Sequence, residues 1–277
     1  MNMTPGDSPG PVPNAATPAA PAPDPATPRF CNGCGAPWQP TWVTCPGCDR
    51  RRLAANPAPP LAGWTRKVNS GLWLYFTFLA ISVSGIIAVA CDTSIVNVEI
   101  VFTLVSSVVV TIWCLCSRRD VVPPLARVPH VKWFAIAATG SVATFLIASG
   151  ALALLTRFTG IPQLRLTAPF SAAGYGPAFL ILLIAVQPAI FEELAFRGVI
   201  LGGLLHVLSP VEAVVVSAAM FMIIHLSIPS FPHLFVMGVA LGYLRVASGS
   251  LYPGVLLHFA HNLYCVAWEY WSPIPAW

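Results

Sequence analysis

Glu192 and Glu193 stand side by side in an otherwise apolar stretch, Phe191-Glu192-Glu193-Leu194-Ala195-Phe196-Arg197-Gly198. On a helix Glu193 and Arg197 are four apart and can pair on one face, which turns Glu192 about 100° away and frees it to face something else. Further along, His225 closes the apolar run Phe221-Met222-Ile223-Ile224. In His258-Phe259-Ala260-His261-Asn262, His258 and Asn262 lie one above the other on a helical face, with His261 close to it. A carboxylate beside an imidazole takes a proton from water and aims the resulting nucleophile at a carbonyl. A second imidazole and a carboxamide then donate hydrogen bonds to the developing oxyanion. This is amide hydrolysis without a serine or cysteine nucleophile. Glu192, His225 and His258 are also plausible zinc ligands, so a metal-assisted version stays open, although neither a His-Glu-x-x-His helix nor a Gly-x-Ser-x-Gly elbow is present. The bland alternatives are a purely structural Glu193–Arg197 pair with Glu192 as a spectator, and a hydrogen-bonded core histidine at 225. His233, beyond Pro229 and Pro232, reads as a loop residue.

The elements that must position these groups are set by composition. The chain has 277 residues, 56% hydrophobic and only 9% charged, with a mean hydropathy of +0.74. That describes a membrane protein and not a water-soluble one. Seven apolar segments follow one another: Leu72 to Cys91, Ile95 to Cys116, Val131 to Leu155, Pro177 to Leu205, Val211 to Leu226, Leu234 to Val246 and Leu251 to Tyr270. The expected fold is an all-α polytopic bundle of about seven transmembrane helices, or eight if Pro188 breaks the fourth. Glu192, His225 and His258 then sit on three separate spans. Intramembrane polar groups are functional-site candidates by default, and mutual satisfaction in one bundle interior is the economical arrangement. The depth arithmetic resists this. At 1.5 Å per residue His225 lies about 21 Å from Val211 but His258 only about 10 Å from Leu251, both counted from the same membrane face.

Arg50 to Arg52, Arg66 and Lys67 precede the first span, and Arg118, Arg119, Arg127 and Lys132 lie between the second and third, so the positive-inside rule places the N-terminus in the cytoplasm. The net charge of +4 supplies no basic face suited to nucleic acid, and no such partner is expected. Without repeat symmetry, a transport path through Glu99 and Glu192 is the weaker reading.

Ahead of the spans, residues 1–28 hold nine prolines and six alanines and read as an extended tail. Cys31-x-x-Cys34 and Cys45-x-x-Cys48, separated by ten residues, have the spacing of a four-thiolate zinc site. Four sulfur ligands leave no open position, so this zinc is expected to be structural. The reading divides the chain into a tail (1–28), a zinc ribbon (29–52), a linker (53–68), accessory helices (69–170) and a catalytic core (171–277).

Taken together, Glu192-Glu193-x-x-x-Arg197, Phe221-x-x-x-His225 and His258-x-x-x-Asn262 resemble the CAAX protease and bacteriocin-processing family, the Rce1-like or Abi intramembrane endopeptidases. The resemblance spans about residues 175–270, and the cysteine knuckles separately resemble the zinc-ribbon heads of bacterial membrane proteins. The first resemblance implies a glutamic protease, once described as metal-dependent. In it Glu192 and His225 activate water, His258 and Asn262 form the oxyanion site, and Glu193 and Arg197 support them. It also implies a membrane protein or peptide as substrate, the lipid bilayer as surroundings and a multi-pass location in a bacterial cytoplasmic membrane, with a cytoplasmic partner for the ribbon. The competing class is a catalytically inactive scaffold or immunity protein that keeps the polar cluster for packing.

Overall fold

The computed structural model describes residues 61–160 and 165–271, together with Gly47. The proline-rich tail and the ribbon cysteines Cys31, Cys34, Cys45 and Cys48 lie outside the described residues. Within them every regular element is helical: α1 (Leu61–Ala90), α2 (Ile95–Cys116), α3 (Arg118–Ala126), α4 (Lys132–Thr159), α5 (Ala168–Ala172), α6 (Pro177–Leu204), α7 (Pro210–Ile224), α8 (Phe231–Ser248) and α9 (Tyr252–Trp271).

All seven expected segments are helices, and five are long and apolar enough to cross a membrane, which makes the described part of the chain an all-α, multi-pass membrane bundle. The other two fall short for different reasons. Helix α7 has only 15 residues. Helix α9 has 20 but carries His258, His261, Asn262 and Glu269, which lower its apolarity. Val101, Leu104, Val108, Ile112 and Leu115 form an exposed apolar stripe on α2, as expected where lipid replaces water.

Pro188 does not split the fourth span. Helix α6 runs through it by widening, with π-helical turns at Ile181–Val186 and Leu194–Ile200 around an α-helical Gln187–Glu193. The Gln187 N–H reaches back five residues to the Leu182 carbonyl, and Pro188, next in line, has no N–H to offer. The carbonyl of Ile184, which Pro188 would serve in a regular helix, instead accepts from Asn262 Nδ2 at 3.0 Å.

Helices α7 and α8 form a tight antiparallel pair. A Cβ on Gly238 would sit 2.9 Å from Ala218 Cα, and one on Gly242 would meet Val214. This is the close backbone approach that small residues permit where the hydrophobic effect gives little help.

The sequence gives no hint of α3, a short helix containing Pro123 and Pro124. It lies along the near face, the end of the bundle where α1 begins and α6 ends. Lys67 Nζ meets Asp120 Oδ1 at 2.6 Å and His206 Nε2 at 3.1 Å, which ties α3 to both. At its other end the Pro124 carbonyl accepts from Leu251 N, and the Arg127 carbonyl accepts from Ser250 Oγ at 2.8 Å. Ser250 and Leu251 are fully buried beneath this strap. Helix α9 therefore starts one layer inside the near face. A helix is roughly 10 Å thick, which supplies the missing depth between His225 and His258.

Candidate functional site

Helix α6 delivers the acidic pair at the junction between its α-helical and second π-helical stretches. The Glu193–Arg197 pair forms as the spacing predicts, with Arg197 Nη1 3.0 Å from Glu193 Oε1 and both side chains essentially without solvent contact. Arg197 also donates from Nη2 to the Gly238 carbonyl at 3.2 Å. Its guanidinium lies 4.5 Å from the centre of the Phe221 ring. One cation is thus shared between a carboxylate, a backbone carbonyl and an aromatic face, which is the kind of enclosure a buried arginine requires.

His258 sits between the two glutamates. Its Nδ1 is 3.1 Å from Glu193 Oε1, and its Nε2 is 3.8 Å from Glu192 Oε2. With Glu193 ionised against Arg197, the imidazole gives its Nδ1–H to that carboxylate, and Nε2 is the ring atom left to face Glu192. Glu193 comes this close because α9 carries Gly254 one turn before His258. A Cβ there would stand 2.9 Å from Glu193 Oε2. Glu192 keeps part of its side chain exposed, and its buried Oε2 has no hydrogen-bond partner.

His225 caps the end of α7 and is exposed. Its Nδ1 lies 2.7 Å from the Phe221 carbonyl, so Nδ1 donates and Nε2 keeps its lone pair. The Phe221 ring packs edge-on against both His225, at 4.8 Å, and His258, at 6.0 Å. The link between these histidines is therefore an aromatic ring.

Of the six residues singled out from sequence, Glu193, Arg197 and His258 are in direct contact, Glu192 faces His258, and His225 joins through Phe221. Asn262 is set apart, with its amide directed to the Ile184 carbonyl. His261 turns the other way, to Thr144 Oγ1 on α4 at 3.0 Å. Glu99 is exposed near the opposite end of α2. His233 belongs to the first turn of α8 and not to a loop. Phe221, Gly238 and Gly254 are contributors that the sequence reading did not assign. The only available signal was spacing, since Gly254, His258 and Asn262 recur every four residues on α9. Among the described residues no three His, Cys, Asp or Glu side chains converge closely enough to hold a metal ion, and Glu192, His225 and His258 as placed do not make such a site.

Residues 174–264, less than half of the chain, match the family described as type II CAAX prenyl endopeptidase, Rce1-like. No curated protein and no solved structure is found to be similar to the chain. The matched stretch contains every residue of the cluster just described and supports a CAAX-type intramembrane protease.

Proposed function

We propose that the chain is an intramembrane endopeptidase that hydrolyses a peptide bond of a membrane protein or peptide, with Glu192 as the base. The observation that carries this is Glu192 itself. It is a partly exposed carboxylate with an unpartnered buried oxygen, facing an imidazole whose other nitrogen is held by Glu193. A water beside Glu192 Oε2 gives up a proton to the carboxylate as its oxygen bonds to the substrate carbonyl carbon. When the C–N bond breaks, that proton passes to the leaving amine. His225 Nε2, an acceptor, helps to orient the water. His258, touching Glu193 and facing Glu192, is placed to donate from Nε2 to the oxyanion. Asn262 spends one amide N–H on Ile184 and has a second for the same oxyanion.

The scaffold reading draws on the same enclosure, because Glu193, Arg197 and His258 pair with one another without a substrate. Replacement of Glu192 by Gln separates the two. The reconstituted wild-type chain is expected to cleave members of a panel of membrane peptides. Glu192→Gln should lose about 10²–10⁴-fold in rate while keeping its fold, whereas a scaffold would cleave nothing in either form. The multi-pass chain is placed in a bacterial cytoplasmic membrane with its N-terminus inside, and the ribbon is assigned one structural zinc held by Cys31, Cys34, Cys45 and Cys48. Loss of that metal on Cys45→Ser, with cleavage retained, is the expected result.

A further inference from the structure

A carboxylate base in a bilayer is useless without water, and the geometry of α7 bears on where water enters the bundle. At 15 residues α7 is about 22 Å long, short of the roughly 30 Å of a hydrocarbon core. Its start is fixed at the near face, where Ser209 and Glu212 exchange hydrogen bonds in an exposed capping box. The turn from Leu226 to Ser230, irregular at Leu226 and Ser227 and a single 3-10 turn at Ile228–Ser230, therefore falls inside the membrane and not beyond it. Non-helical backbone at that depth persists only where protein covers it or water lines it. Protein covers this turn only in part: Leu226, Ser227 and Ser230 are half-buried, whereas Ile228 is 78% exposed and Pro229 is exposed beside it.

The turn has further unusual features. Leu226 holds a left-handed backbone, φ +50°, a conformation that costs a non-glycine residue energy and is found mostly where function requires it. Ser227 and Ser230 pair through their hydroxyls at 2.9 Å. A histidine flanks the turn on each side. His225 is exposed with a free Nε2 lone pair. His233 buries its Nδ1 where no protein group hydrogen-bonds it. Two ionisable rings and two hydroxyls around a strained, partly uncovered turn are expensive in hydrocarbon and ordinary in water.

We propose that the Leu226–Ser230 turn is the water entry of this protein, a wetted indentation from the face opposite α3 that brings solvent to His225 and His233. Water is also the ligand class that satisfies His233 Nδ1. The fully buried Phe221 ring stands between His225 and His258. That this water is consumed in hydrolysis rests on the peptidase reading, but its presence does not.

The test is thiol accessibility in the full-length chain reconstituted in liposomes. Ser227→Cys and Ser230→Cys are exposed to a charged, membrane-impermeant thiosulfonate, and modification is read by peptide mass spectrometry so that native cysteines such as Cys91 and Cys116 do not contribute. Ile223→Cys, 40% exposed on the adjoining turn of α7, is the lipid-facing control. Because only a thiolate in water reacts, both turn positions should be modified at least about tenfold faster than the control, and from one face only. Equal rates at all three positions, or modification only after detergent is added, would overturn the proposal. A chain that is modified as expected but cleaves no peptide counts against the peptidase reading alone. One that cleaves but resists modification counts against the entry alone.

Discussion

The Lys67–Asp120–His206 cluster on the near face and the Glu192–Glu193–Arg197–His258 cluster between α6 and α9 are assembled from the same side-chain types. In the first, Lys67 and Asp120 are 38% and 22% exposed, and Asp120 meets a cation and an imidazole that also meet each other. It is open to solvent and closes on itself, joining α1 and α3 to the turn that follows α6. In the second, Arg197 and Glu193 are sealed from solvent, two carboxylates face one guanidinium, and an oxygen of the more open carboxylate has no partner. A self-satisfied cluster ties helices together. An enclosed cluster with an excess carboxylate has unfinished electrostatics, which a water and a substrate can complete. What separates tie from reaction centre is burial and charge imbalance, and the residue types do not reveal it.

The largest effect is expected from breaking the enclosed cluster at its cation. Arg197→Met strands the Glu193 charge in the interior and should cost about 3–5 kcal/mol. The double change Glu193→Gln with Arg197→Met should cost less than Arg197→Met alone, and denaturation in detergent measures both. Next comes crowding of the same site. Gly254→Val drives a side chain against Glu193 Oε2 and should cost about 1–3 kcal/mol by overpacking. It also displaces Glu193 from His258, so cleavage should fall by more than stability alone explains. The smallest effect belongs to the near-face tie, where solvent screening limits Asp120→Asn to less than about 1 kcal/mol.

That tie also carries a pH signature. Burial pushes the Asp120 carboxyl up, but His206 beside it and the hydrogen bond and charge of Lys67 outweigh this, and the carboxyl sits below its ordinary value. A depressed folded-state value means that the contribution is present above the unfolded value of about 4 and is lost as pH falls through the folded one. Tm measured against pH should decline more steeply below about pH 4 in the wild type than in Asp120→Asn.

Much of this comparison was legible in the sequence because it rests on short-range periodicity. Apolar run lengths located every span, and the four-residue spacing of Glu193 and Arg197 foretold their pair. What depended on how helices face one another was hidden. Spacing separates Glu192 from Glu193 by angle but does not say which of them α9 approaches, and it is Glu193 that His258 touches. The role of Gly254 follows from that approach alone. Pro123 and Pro124 disfavour a helix on local grounds, so α3 and the depth it gives α9 went unforeseen. The two prolines around His233 suggested a loop, whereas Pro232 instead falls in the first turn of α8, where its missing N–H costs nothing.

The most direct test places the two clusters side by side: Glu192→Gln and Asp120→Asn, each reconstituted and assayed for membrane-peptide cleavage and for Tm. Glu192→Gln is expected to abolish cleavage at unchanged Tm, and Asp120→Asn to lower Tm slightly while cleavage persists. Cleavage that survives Glu192→Gln but is lost in Asp120→Asn would contradict the account and move the reaction centre to the near face.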